Sequence, residues 1–334
     1  MRVTYGGVEL MLEPMSALEF QDRFRTEADC LEYIRQLRWP NGFICPNCGH
    51  DFAYELKDGS LYQCSVCRRQ TSVTAGTIFH KTRTPLRKWF WMIYQMAHDK
   101  GGASASRLAK QLCGFQSTVW NQLQKLRHAM ERRDETITLA GFIELDEAII
   151  GPHARKTGRR KKNDDDKKGP RLKSLGRPKK DGTKSSKRQT EVVVMVEREN
   201  AKAGNLAMKV IYKTTRADVR EAVEQHVEDN RQSFKSDAIQ SHFVVRSMGH
   251  DLEALKLSGT PLSVEELPVV HRAISLLKRF LLGTYHGVSS KYLQRYLSEF
   301  AFRWNRRDSE ENLWTSLLKA ACFAAPMQYA ELKL

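Results

Sequence analysis

Four cysteines stand in two pairs at metal-ligand spacing: Cys45-Pro-Asn-Cys48 and, after 15 intervening residues, Cys64-Ser-Val-Cys67. Two such knuckles can present four thiolates tetrahedrally to one Zn²⁺ at about 2.3 Å each. Four protein ligands leave no open position, so the expected role is structural. A segment of about 35 residues has too small a core to fold alone, and the ion would supply the missing stability. Four free thiols at coincidental spacing are the alternative. Zinc ribbons serve DNA, RNA and protein partners alike, so the spacing points to an ion and not to a function.

A second set of residues has the types that phosphoryl transfer needs. Phe142-Ile-Glu-Leu-Asp146 alternates with period two, as a half-buried strand does. That alternation puts Glu144 and Asp146 on one strand face and Ile143 and Leu145 on the other. Phe234–Ser236 reads as a short strand ending at Asp237. Two carboxylates at neighbouring strand ends can clamp two divalent ions about 3.5–4 Å apart, which activate a water or a 3′-hydroxyl and stabilise the leaving oxygen. A helix beginning at Pro268, where a helix start tolerates proline, has an apolar stripe at Val270, Ile274, Leu277 and Leu281. Its other face holds His271, Ser275 and Lys278, and seven residues make two turns, so His271 and Lys278 align. Taken singly, each acid is as readily a solvated turn residue and the histidine a surface group.

These groups need elements to hold them. Ser16–Trp39 reads as one helix, ended by Pro40-Asn41-Gly42. Helices are expected over Pro85–His98, Ser104–Leu112 and Gln116–Arg133, with Gly101-Gly102 between the first two. The last pair, joined by Cys113-Gly114-Phe115, has helix-turn-helix cadence. Gln116, Ser117, Asn121 and Lys125 would face a DNA groove while Val119, Leu123 and Leu126 pack inward. An ordinary helical hairpin is the alternative. Further on, Thr190–Val196 and Met208–Tyr212 read as strands, and Ala217–Val227 and Lys291–Arg306 as helices. Cys30, Cys113 and Cys322 sit in apolar helical contexts and are expected to be small core residues.

The formal charge is +16 with 41% hydrophobic residues, so a sizeable core and a polyanionic partner are both compatible with the composition. Segment 155–189 has sixteen Lys/Arg against four Asp, which leaves only +4 for the other 299 residues. The excess charge is thus one local insertion, expected to be a flexible arm that binds DNA phosphates. Within it, Leu175-Gly-Arg-Pro-Lys-Lys180 also resembles an AT-hook core that would place Arg177 in a minor groove. No signal-peptide pattern and no run approaching 18 apolar residues is found, so no membrane partner is expected and the expected location is the cytoplasm.

Several blocks together resemble a known family. They are Leu37-Arg-Trp-Pro-Asn-Gly-Phe-Ile-Cys-Pro-Asn-Cys48, Thr74-Ala-Gly-Thr-Ile-Phe-His-Lys-Thr82, Glu144-Leu-Asp-Glu147, Ser275 through Ser289, Leu293-Gln-Arg-Tyr296 and Glu299-Phe-Ala-Phe-Arg-Trp-Asn-Arg-Arg307. In order and spacing they are similar to insertion-sequence transposases with an ISXO2-like catalytic domain, the IS1595 group. The resemblance implies an α/β, RNase H-like mixed sheet flanked by helices, with a DDE-type site for Mg²⁺ or Mn²⁺. Asp146 and Asp237 match the first two catalytic aspartates. His271 stands where many members have glutamate, 34 residues after Asp237. Lys278, followed by Arg279, matches the basic residue that would touch DNA phosphate. Glu265 or Glu266, just upstream of the helix, is the rival third ligand.

The expected organisation is an N-terminal helical segment (1–40), a zinc ribbon (41–80), a helix-turn-helix region (81–135), a catalytic domain (136–309) carrying the insertion, and a C-terminal helix (310–334). The expected function is binding of the element's own terminal inverted repeats, then metal-dependent strand cleavage and transfer into target DNA by a homo-oligomer. A transposase relic retained as a DNA-binding regulator is the alternative, and a nuclease on the same fold would not explain the front end. Deleting Arg155–Arg188 is expected to weaken DNA binding broadly and flatten its salt dependence, because fewer counterions are released. Titrations at several salt concentrations check this, and an unchanged slope means the arm does not contact phosphate.

Overall fold

A computed structural model describes residues 2–5, 8–11, 15–57, 59–151, 190–200, 202–211, 213–255, 265–309, 312–328 and 331. Arg177 and the rest of the basic segment from 155 to 189 lie outside them. The chain opens on a hairpin of β1 (Arg2–Tyr5) and β2 (Val8–Met11). The single helix expected over Ser16–Trp39 is two, α1 (Ala17–Arg23) and α2 (Glu27–Arg38). Thr26 and Asp29 exchange side-chain and backbone hydrogen bonds as a capping box, which starts a new helix after the break at Phe24. A three-stranded antiparallel sheet follows, β3 (Ala53–Leu56), β4 (Leu61–Cys64) and β5 (Gln70–Ser72). Then come α3 (Leu86–His98), α4 (Ala105–Gln111) and α5 (Gln116–Asp134). Cys113, expected in the core, is exposed. It takes the left-handed conformation (φ 48°) that turns α4 into α5, which leaves its side chain outside.

The second half is built on β6 (Phe142–Ile150), β7 (Thr190–Glu199), β8 (Lys202–Ile211), β9 (Ser233–Asp237) and β10 (Asp251–Leu255). Their spatial order is β8-β7-β6-β9-β10. The first three are antiparallel, and β9 and β10 run parallel to β6. This is the RNase H-like arrangement. On one face, α6 (Arg216–His226) and the short α7 (Val244–Ser247) cover Ile143, Leu145, Val193 and Met195. On the other, α8 (Pro268–Tyr285) and α9 (Ser290–Asn305) cover Ala148, Val192, Val194 and Val196. The stripe Val270, Ile274, Leu277 and Leu281 is buried there as its spacing requires.

The edge strand β8 is sealed by side chains of α9. Gln294 accepts from the Val210 N–H and donates to the Met208 carbonyl, while Asn305 does the same for the N–H and carbonyl of Leu206. An edge whose ladder groups are already satisfied offers no template for a further strand.

The last helix, α10 (Leu313–Phe323), returns to the front end. Trp314 packs against Phe20, Phe24, Tyr33 and Phe90, and the Ile78 N–H donates to the Ala321 carbonyl. Helices α1 to α5, the three-stranded sheet and α10 thus share one core. A buried ionic cluster joins that core to the sheet. Arg127 of α5 pairs with Glu299 of α9 at 2.8 Å, with their side chains 1% and 0% exposed. Arg303 shares the same carboxylate at 2.9 Å, and Tyr296 lies under the Arg127 guanidinium at 4.0 Å. Gly102 (φ 90°) passes so close to Tyr285, a further partner of Arg127, that a Cβ there would lie 2.3 Å from its hydroxyl.

Glu299 is the one acid facing two guanidiniums, so its loss strands two buried cations, whereas loss of Arg127 leaves Glu299 paired with Arg303. Removing one partner of a buried pair costs about 3–5 kcal/mol. Glu299→Leu is expected to lose that much and Arg127→Leu clearly less, read from denaturant unfolding. The reverse order would refute this arrangement.

Candidate active site and metal centres

The cysteine knuckles are near copies of each other. Cys45 and Cys64 begin tight turns in which the N–H groups of Gly49 and Arg68 donate back to their carbonyls. Both Gly49 (φ 74°) and Arg68 (φ 59°) are left-handed. All four sulfurs converge, with Cys45 and Cys67 Sγ at 3.6 Å and Cys48 and Cys64 Sγ at 3.6 Å. A tetrahedron with bonds of about 2.3 Å has edges of about 3.8 Å. The spacing therefore suits four thiolates around one ion and is far from a disulfide. The Arg69 backbone N–H pulls the Cys67 thiol down to about 6, toward the thiolate a metal requires.

The acidic site forms where β6 and β9 lie side by side. Leu145 pairs with Ser236, so the next residues along, Asp146 and Asp237, emerge at adjacent positions. Helix α8 brings His271 to Asp146, with Nδ1 3.5 Å from Oδ2. What holds α8 there is Glu144, whose role the sequence did not disclose. Its fully buried carboxylate accepts from the Val269 and Val270 N–H groups at 2.9 and 2.8 Å, and Arg198 donates to its other oxygen at 3.0 Å. Anionic capping of the free N–H groups at a helix start is favourable through the helix dipole. Of the two rival glutamates, Glu266 pairs with Lys235 Nζ at 2.7 Å and Glu265 is exposed.

Two further residues join the site. Glu147, on the opposite strand face from Asp146, has Oε1 2.7 Å from His242 Nε2. The other ring nitrogen of His242, Nδ1, lies 3.2 Å from Asp237 Oδ1. The latter approach is poorly aimed for a hydrogen bond and acts as an electrostatic contact. The ligand atoms of Glu147, Asp237 and His242 all fall within 4.8 Å of one another. Burial drives the Asp146 carboxyl up to about 7, against the Glu147 N–H, which lowers it, and with added repulsion from Asp237 and Glu147. For His242, burial alone would lower the pKa, but the contacts to Asp237 and Glu147 more than reverse it, to about 10. The site gathers buried negative charge and suits a divalent cation. The five-residue step from Asp237 to His242 was the available signal for that histidine.

A family model described as the ISXO2-like transposase domain matches residues 138–305, and a transposase zinc-ribbon model matches residues 25–70. The chain belongs to the ISXO2-like transposase family. A curated relative, an uncharacterized protein in transposable element ISH50 of Halobacterium salinarum, is 26% identical over 130 residues. That match spans 38% of this chain and 43% of the relative, so the chain covers less than half its length. Among solved structures, the pre-cleavage Mos1 transpososome is 16% identical, covers 70% of this chain and 77% of its own, and has a TM-score of 0.27. The Mos1 mariner paired end complex with Mn is 15% identical over 73% and 88%, with a TM-score of 0.25. Superposition this loose leaves the fold assignment to the strand order.

In this chain Gln116 and Ser117 are exposed at the first turn of α5, behind Phe115, which is 82% exposed. Asn121 and Lys125 are half-buried, because α9 lies against the next turns, with Trp120 and Tyr292 rings 4.9 Å apart. On α8, Arg279 is exposed and Lys278 half-buried, on the flank that also carries His271. Among the described residues, no helix is long and apolar enough to cross a membrane. Metal analysis of the purified protein is expected to find one zinc per chain, and Cys48→Ser to lose it. A Cys48→Ser protein that keeps stoichiometric zinc would rule out the four-thiolate site.

Proposed function

We propose that this transposase binds the terminal inverted repeats of its own element and catalyses metal-dependent cleavage and transfer of the DNA strands. The observation that carries this is the meeting of Asp146, midway along β6, with Asp237 at the end of β9, and of His271 brought onto Asp146 by a helix that Glu144 clamps. Asp146, Asp237 and His271 would hold Mg²⁺ or Mn²⁺. When bound, such ions make a water or 3′-hydroxyl nucleophilic and stabilise the leaving oxygen of a phosphodiester.

The remaining tasks fall to the chain's own side chains. Lys278 and Arg279, along the same helix flank, bind backbone phosphates and orient the strand past the carboxylates. Gln116 and Ser117 reach base edges from the exposed first turn of α5, with Asn121 and Lys125 contributing where α9 leaves them open. The zinc ribbon, fixed by Cys45, Cys48, Cys64 and Cys67, adds a second DNA contact, and Arg177 belongs to the basic arm that follows the phosphates. Two ends must be joined, so the working form is a homo-oligomer on DNA, acting in the cytoplasm.

An imidazole nitrogen suits Mn²⁺ better than Mg²⁺, which prefers oxygen ligands. Cleavage of end-containing DNA is therefore expected to be faster in Mn²⁺, absent in Asp146→Ala, and less metal-selective in His271→Glu. Single-turnover cleavage assays decide this. Full activity in His271→Ala with loss in Glu265→Ala or Glu266→Ala would transfer the third ligand to a glutamate, and activity retained in Asp146→Ala would leave a DNA-binding regulator.

A further inference from the structure

Consecutive residues on a strand point to opposite faces. Asp146 therefore looks toward α8, and Glu147 toward the side covered by α7. The Glu147 side chain is only 9% exposed and one of its oxygens, Oε2, has no hydrogen-bond partner. Burying an acid with one oxygen unsatisfied costs free energy, which its contact with a charged or hydrogen-bonding partner must offset. What it touches is His242, whose side chain is 0% exposed. The turn after β9, closed by the His242 N–H onto the Ile239 carbonyl, folds that ring back beneath Asp237. One imidazole thus spans carboxylates from two strands, with Nε2 at 2.7 Å from Glu147 and Nδ1 at 3.2 Å from Asp237.

We propose that Glu147 and His242 form a positioning relay for Asp237, in which Glu147 fixes the ring and the ring fixes the carboxylate that holds the divalent ion. This rests on Asp237 being a metal ligand, as set out above. Asp237 Oδ1, the oxygen facing His242, is buried, while the side chain as a whole keeps 29% exposure. The relay therefore grips one oxygen from behind and leaves the open side of the group for the ion. Removing an outer-shell partner that orients a metal ligand commonly costs 10- to 100-fold in metal affinity.

The test is Mn²⁺ binding to the zinc-loaded, full-length protein by titration calorimetry, with zinc content and thermal unfolding as controls for folding. Asp237→Ala should abolish binding at the site. His242→Ala and Glu147→Ala should each weaken it at least about tenfold, and the double variant should be no worse than either single one, as for members of one chain of contacts. Glu147→Gln, which can still accept from Nε2–H, and His242→Gln should lose less and serve if the alanine variants fold poorly. Parent-like Mn²⁺ affinity in His242→Ala or His242→Gln overturns the relay while the metal site stands. Unchanged binding in Asp237→Ala instead removes the site on which it rests. Pulsed electron paramagnetic resonance separates the remaining case: a manganese-bound nitrogen signal that persists in His271→Ala and vanishes on further changing His242 makes His242 a ligand and overturns its positioning role.

Discussion

The buried meeting of Arg127, Glu299 and Arg303 sets the geometry of everything else in this molecule. Arg127 lies midway along α5, the helix whose first turn is exposed, and Glu299 lies midway along α9, the helix that seals the edge of the five-stranded sheet. Charges this deep are held only where every partner is in place. The guanidinium of Arg127 also meets Tyr285 at the end of α8, which in turn accepts from the Ala103 N–H beside α4. Three helices and the segment before α4 therefore share one polar knot, and α5 cannot slide or turn without exposing it. The front end and the catalytic sheet are coupled as firmly as two parts of one core.

A second device fixes the chemistry within that frame. The three acids of β6 divide their work by strand geometry. Glu144 faces α8 and caps its start, Asp146 emerges two residues further along the same face, and Glu147 looks the opposite way to His242. A cap on a helix start is worth about 0.5–2 kcal/mol, but here its consequence is placement. The capped residues Val269 and Val270 immediately precede His271, so the imidazole is set by the same bond that anchors the helix.

Much of this was legible from residue types and spacing, because local patterns carry it. The cysteine knuckles, the alternation in Phe142–Asp146, the stripe on α8 and the proline at its start all lie within a few residues of one another in sequence. Resemblance to a family then supplied the catalytic aspartates, which bottom-up are ordinary strand-end acids. What stayed hidden depends on distant partners. Glu144 is visible as a strand residue, but its bonds are to residues 125 and 126 positions away. Arg127 and Glu299 are 172 apart, and nothing around either forecasts the other. The block Glu299–Arg307 was recognisable as a family mark, yet only the fold gives its physical reason: pairing Arg127, sealing β8 through Asn305, and tying Trp304 to the Gly204 carbonyl. Short elements such as α7 and β10 were missed because four or five residues carry too little periodicity to register.

The histidine at 271 has an electrostatic rationale in these surroundings. A glutamate near a helix start usually gains from the dipole and from free N–H groups. In this chain Glu144 already occupies the N–H groups of Val269 and Val270, so a second carboxylate one residue on would find that compensation taken. It would also stand beside Asp146, whose carboxyl burial already lifts to about 7 with Asp237 and Glu147 adding repulsion. An imidazole at this position offers a metal-binding nitrogen without a further negative charge. The same crowding of carboxylates explains why a second imidazole, His242, faces Glu147 and Asp237 from behind. Where three acids converge, one histidine on each side of the sheet gives the crowded carboxylates a partner that adds no negative charge.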